Sequence, residues 1–240
     1  HCPIPTAACA ASRPSPIDAR VEHVVDGWLA IAVPAGQEVA GWREDVLAKR
    51  LARLAALGSD AGSGHLERLF DVPRPTTSGS AQLVWITGPE VVGAFASGAT
   101  SGCSIQAPDV APLATVLHEL AHCFQFAADD EGRATRWALE SGADVAAWSL
   151  LRARAGQGWS AEVPHASIGG GAAEGAIYGL PFAVASAGGA GTVARWADGY
   201  GASALLLDDW IARLAVEAGV DPERAAREVL LGTLEQPRGA

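Results

Sequence analysis

The sequence predicts an α+β fold in two parts, a small mixed sheet-and-helix lobe followed by a helical lobe. Three observations predict it. Short runs rich in β-branched and apolar residues fall between positions 21 and 108, helical spacing of apolar residues takes over after Pro112, and Gly and Pro punctuate the boundaries. With 240 residues, 49% of them hydrophobic, the chain can bury a sizeable core. We read residues 21–240 as a single domain with an upper lobe over 21–125 and a lower, helical lobe over 126–240.

Residues 1–20, HCPIPTAACAASRPSPIDAR, are rich in Pro, Ala and Ser without an apolar period and read as a tail or linker. VEHVVDGWLAIAVP (21–34) has the β-branched enrichment of a strand or hairpin and ends at Pro34. GWREDVLAKRLARLAALG (41–58) spaces Val46, Leu47, Leu51, Leu54 and Leu57 at three and four, which predicts an amphipathic helix stopped by Gly58. A polar, glycine-bearing loop is expected to lead through HLERLF to a Pro-rich turn, and SAQLVWITG (80–88) reads as a short apolar strand. VVGAFASGATSGCSIQAP (91–108) keeps Cys103 and Ile105 in alternation and suits a last, exposed edge strand.

Beyond Pro112, which can open a helix, Leu113, Val116, Leu117, Leu120 and Phe124 form one apolar stripe. ATRWALESGADVAAWSLLRARAG (134–156) reads as the next helix, and GAIYGLPFAVASAGG (175–189) as another with a kink or start near Pro181. TVARWADGYG, SALLLDDWIARLAVEAG and DPERAAREVLLGTLEQ complete the helical part, the last opened by Asp221-Pro222-Glu223, a good helix start. No internal repeat is visible.

The net charge of −10, with no run of Lys or Arg, argues against nucleic acid or an acidic membrane surface as partner. Apolar runs are broken well before the ~18 residues that would suggest a membrane span. Four cysteines allow three pairings, of which Cys2 with Cys9 and Cys103 with Cys123 is the simplest local one. That even count points to an oxidising compartment, hence to a secreted, extracellular protein whose signal peptide has been removed, the alternative being four reduced, buried cysteines.

The chemistry concentrates in VLHELAHCFQF (116–126). Two histidines four apart on a helix leave one face about one turn apart, so His118 and His122 can offer ring nitrogens to a single ion. Glu119 beside them is placed to accept a proton from zinc-bound water without binding the metal itself. A chance HExxH is expected in a chain of this composition roughly once in a hundred. The alternative is a core helix with two neutral, hydrogen-bonded histidines and a solvated Glu119.

A zinc site that hydrolyses a substrate needs a third protein ligand and an open position. Glu140 on the following helix offers that ligand, and Asp144 one turn further can reach the far nitrogen of a ligating histidine, His118 by preference, and fix its tautomer. Trp137, Trp148 and Leu151 lie roughly on the same inward side, so a metal would solve the burial of two carboxylates among them. Gly142 between the carboxylates lets the two helices approach closely. Asp129 is the nearest acidic rival as third ligand, and a site using Asp144 in place of Glu140 is a further variant. The competing reading of these carboxylates is a solvated acidic helix edge.

HELAH followed by LESGAD resembles the gluzincin metallopeptidases, the thermolysin-like and aminopeptidase-like clan in which a downstream Glu, usually in an ExxxD frame, joins HExxH. The segment GATSGCSIQAP resembles the substrate-binding edge of that clan, and IYGLPFAVASAGGAGTVARWADGYGASALL the stretch that supplies a tyrosine and closes the helical lobe. The likeness spans roughly residues 21–215, with HExxH and ExxxD its specific parts. It implies a zincin-like fold with a cleft between the lobes and one Zn2+ held by His118, His122 and Glu140. It further implies Glu119 as general base and Tyr178 as hydroxyl donor to the oxyanion, His165 being the rival donor. A GAMEN-type segment is absent, which argues against exopeptidase action on free amino termini, and the metzincin continuation HExxHxxGxxH fails at Gln125 and Ala128; the resemblance implies an endopeptidase acting on peptides or proteins. Two other readings use the same residues: a zincin-fold binding or interaction module without turnover, and a hydrolase of a non-peptide amide.

Overall fold

A computed structural model describes residues 19–25, 29–34, 60–77, 79–80, 82–88, 91, 93–99, 102–108, 111, 113–129, 132, 134–154 and 200–235. The expected helices at 41–58 and 175–189, most of TVARWADGYG and nearly all of the expected tail lie outside these residues.

Residues 21–34 contribute a pair of antiparallel strands, β1 (Ala19–Val25) and β2 (Leu29–Pro34). Strand β1 begins at Ala19, inside the segment read as tail, because Ala19 and Arg20 pair with Pro34 and Val33. Leu29 to Val33 are all buried, as expected of an inner strand covered on both faces. Strand β3 (Leu83–Ile86) lies parallel to β2. The stretch 91–108 forms two strands, β4 (Phe95–Ala99) and β5 (Gly102–Gln106), and the sheet order is β1-β2-β3-β5-β4.

The edge-strand expectation therefore needs correction. Cys103 and Ile105 belong to β5, an inner strand parallel to β3 on one side and antiparallel to β4 on the other, and β4 forms the edge of the described sheet. Gly98 makes this pairing possible: a Cβ there would stand 2.9 Å from both Cβ and Sγ of Cys103.

A second correction concerns residues 60–70, expected as loop. They form helix α1 (Asp60–Phe70), which buries His65, Leu66, Leu69 and Phe70. This stripe is only two turns long and is preceded by Gly and Ser, so the local pattern understates a helix that tertiary packing stabilises.

Four further helices follow: α2 (Leu113–Ala128), α3 (Arg136–Arg154), α4 (Tyr200–Ala218) and α5 (Pro222–Leu234). Helix α2 lies between the sheet and the other helices, touching β4 and β5 on one side and α1, α3 and α5 on the others. It buries Val116, Leu117, Leu120, Ala121, Cys123 and Phe124. A disulfide between Cys103 and Cys123, with Cα atoms 5.6 Å apart, ties β5 to α2. Cys2 and Cys9 lie outside the described residues.

Helices α3 and α4 are joined by a buried two-pronged ion pair, in which Arg152 Nη1 and Nη2 donate to Asp208 Oδ1 and Oδ2 at 2.8 and 2.6 Å. Asp221 caps α5, its Oδ1 accepting from the backbone N–H groups of Glu223 and Arg224. Among the described residues no helix is long and apolar enough to cross a membrane.

Candidate metal centre

Helices α2 and α3 bring three side chains to one point. The i, i+4 spacing on α2 stacks the rings of His118 and His122 edge to face, with centroids 4.6 Å apart, and their Nε2 atoms lie 3.0 Å apart. From α3, Glu140 Oε2 stands 3.3 Å from His118 Nε2 and 3.5 Å from His122 Nε2. These three atoms form a triangle of potential ligands, all within 4.8 Å of one another.

The far side of each ring fixes what the near side can do. His118 Nδ1 donates to Asp144 Oδ1 at 2.7 Å, so Asp144 braces His118 from one turn beyond Glu140. His122 Nδ1 faces Gln125 Oε1, also at 2.7 Å, and Gln125 Nε2 donates to the Leu139 carbonyl at 2.8 Å. That second bond orients the amide, leaving its oxygen for the ring. With both Nδ1 atoms carrying hydrogen, the neutral tautomers direct two Nε2 lone pairs and a carboxylate oxygen at one another. Such an arrangement calls for a cation, either a proton or a metal ion.

The titration behaviour has the same origin. Burial opposes protonation of His118, yet the Asp144 carboxylate, with Glu140 and Glu119 behind it, raises its pKa well above 6.5. Burial would raise the Glu140 pKa, but hydrogen bonds from His118 and His122 hold it below the usual carboxylate range.

The three side chains are spaced so that they could hold one metal ion. Ligand atoms about 2.0–2.2 Å from a tetrahedral zinc lie about 3.3–3.6 Å from each other. The two edges to Glu140, 3.3 and 3.5 Å, fall in that range, the edge between the two Nε2 atoms is shorter at 3.0 Å, and two imidazoles with one carboxylate are a donor set zinc accepts.

Glu119 is buried on α2 and lies beside this triangle. Burial pushes its carboxyl up, while the charges of His118 and His122 and a hydrogen bond from the Ala96 backbone pull it down, leaving it raised overall. Edge strand β4, which carries Ala96, therefore borders the carboxylate. Asp129 takes no part: it is outside the cluster, and its carboxylate accepts from the Ala134 N–H at 2.9 Å. Asp144 lies on the Nδ1 side of His118, away from the triangle. Trp148 is buried and Leu151 packs against the core, whereas the side chain of Trp137, together with Tyr178 and His165, lies outside the described residues.

Gln125 was not singled out by its sequence as a partner of the histidines. The available signal was a lone amide inside an apolar run three residues after His122, the spacing of side-chain neighbours on a helix. Phe126, whose ring stacks on His122 at a centroid distance of 5.8 Å, was equally unmarked.

A second polar cluster has the order of a hydrolase triad without its chemistry. His65 Nε2 lies 2.8 Å from Ser149 Oγ, and His65 Nδ1 lies 3.4 Å from Glu223 Oε2. Ser149 is only 2% exposed and its hydroxyl donates to the Ala146 carbonyl, so it is closed to substrate, and it is His65 that links α1 to α3 and α5.

No family model, curated protein or solved structure matches the chain.

Proposed function

We propose that the chain is a zinc-dependent peptidase of gluzincin type with a zincin-like fold, in which His118, His122 and Glu140 hold one Zn2+ and Glu119 is the general base. The observation that carries this reading is the convergence of His118 Nε2, His122 Nε2 and Glu140 Oε2 at 3.0 to 3.5 Å, each ring braced from behind. When bound, zinc would supply a Lewis acid that polarises a carbonyl and lowers the pKa of water.

The chain's own residues supply the rest. Glu119, with its pKa raised by burial, takes a proton from the attacking water and passes it to the departing amine nitrogen. Strand β4 at the sheet edge favours a peptide substrate, because an extended chain added there would run beside Glu119. Endopeptidase action, and Tyr178 as donor to the oxyanion, rest on the resemblance of the sequence. The Cys103–Cys123 disulfide fits an oxidising, extracellular setting.

The test combines metal analysis with digestion of a peptide library, with and without a chelator. One zinc per chain and chelator-sensitive cleavage are expected, and Glu119→Gln should keep the zinc while losing about 10²–10⁴-fold in rate. Full activity in that variant removes Glu119 from the mechanism. A chain that binds zinc and cleaves no peptide is an interaction module or acts on another amide.

A further inference from the structure

Gln125 does more than fill a gap between helices. Its side chain is wholly buried, and its one amide group has contacts at both ends. At one end Oε1 accepts from His122 Nδ1 at 2.7 Å. At the other Nε2 donates to the carbonyl of Leu139 at 2.8 Å, with Ala138 O at 3.5 Å, and Leu139 is the residue immediately before Glu140. The same planar group thus touches one ligand ring on α2 and the backbone that carries another ligand on α3.

We infer that Gln125 is a positioning residue that fixes both the tautomer of His122 and the reach from the α2 histidines to Glu140; this inference rests on the zinc-site reading above. The chemistry required suits a primary amide. A ring N–H needs an acceptor and a helix carbonyl needs a donor, and the planar amide of Gln offers both. Asn is one methylene shorter and cannot span the same two partners without moving a helix. With Oε1 on Nδ1, His122 must carry its proton there and present the Nε2 lone pair to the centre.

Gly142 completes the device. A Cβ at that position would stand 2.7 Å from Gln125 Nε2 and 3.3 Å from Leu230 Cδ2, so only a residue without a side chain lets α3 close on the amide. The close helix approach that the sequence suggests for Gly142 is thus an approach to Gln125 in particular. His118 is braced by a carboxylate and His122 by a neutral amide, so only one buried negative charge is placed behind the pair.

The experiment uses the full chain in three forms: unaltered, Gln125→Met, which keeps the length without the polar atoms, and Gly142→Ala, which leaves every ligand in place. Zinc affinity is measured by competition with a chromophoric chelator, and the tautomer of His122 by 15N NMR of the metal-free protein. Gln125→Met should bind zinc about 10–100-fold more weakly, with His122 losing its Nδ1–H preference. Gly142→Ala should shift both readouts in the same direction. Zinc affinity in Gln125→Met within twofold of the unaltered chain would overturn the inference, as would an Nε2–H tautomer for His122 in the unaltered metal-free chain. The tautomer measurement decides even if Gln125→Met fails to fold. An unaltered chain that binds no zinc sinks the metal site itself, an outcome distinct from tight binding that the variants leave unchanged.

Discussion

Asp144 offers a graded perturbation of the centre. Its Oδ1 accepts from His118 Nδ1 at 2.7 Å, and both side chains are largely buried, 15% and 12% exposed. A hydrogen bond to a charged partner contributes about 1.5–3 kcal/mol, and one between neutral groups about 0.5–1.5 kcal/mol. Asp144→Asn keeps an acceptor but loses the charge, so zinc binding should weaken by about 1–1.5 kcal/mol, roughly tenfold. Asp144→Ala loses both and should weaken it by about 1.5–3 kcal/mol, or about 10–100-fold. Asp144 also raises the pKa of His118 in the metal-free chain, so it favours the competing proton along with the metal. The gap between wild type and variants should therefore widen as pH rises and that proton leaves. The assay is chelator competition at two pH values, with circular dichroism of the metal-free proteins to check the fold. Asp144→Ala binding zinc as tightly as wild type at the higher pH, or more tightly than Asp144→Asn, would refute the orientation argument.

Two further outcomes concern stability. Asp208→Ala leaves Arg152, 3% exposed, without its two-pronged partner and should cost about 3–5 kcal/mol in chemical denaturation, most of it regained in the double variant Arg152→Met, Asp208→Leu; a cost near zero would show that the pair contributes little. His118, with its folded-state pKa raised above 6.5, adds stability to the metal-free protein that is fully present below pH 6.5 and lost as pH rises through the raised value. The stability difference between wild type and metal-free His118→Gln should accordingly narrow above pH 6.5, and a gap that stays constant or grows there would contradict the assignment.

The legibility of the centre followed sequence separation. Pairs four apart on one helix, His118 with His122 and Glu140 with Asp144, were readable because helical geometry alone puts them on one face. The capped start of α5 at Asp221-Pro222 was readable for the same reason, since a cap is a contact across two or three residues. Helix α1 was not, because a two-turn apolar stripe needs the packing of α2, α3 and α5 to become stable. Nor was the edge of the sheet: the alternation of Cys103 and Ile105 shows a strand with a buried face but does not say that β4 lies outside it.

By itself, then, the sequence determined which residues can act together within a helix: two imidazoles with an adjacent carboxylate, and a second pair of carboxylates one turn apart. Tertiary structure alone decided how the two sets meet, with Asp144 on His118 across 26 residues and Gln125 bridging His122 to the Leu139 carbonyl across 14. The physical reason is that rise and twist along a helix are set locally by its hydrogen bonds, whereas the separation and rotation of two helices depend on all the side chains between them. Here that dependence narrows to the space left by Gly142, where one methyl group would press on Gln125.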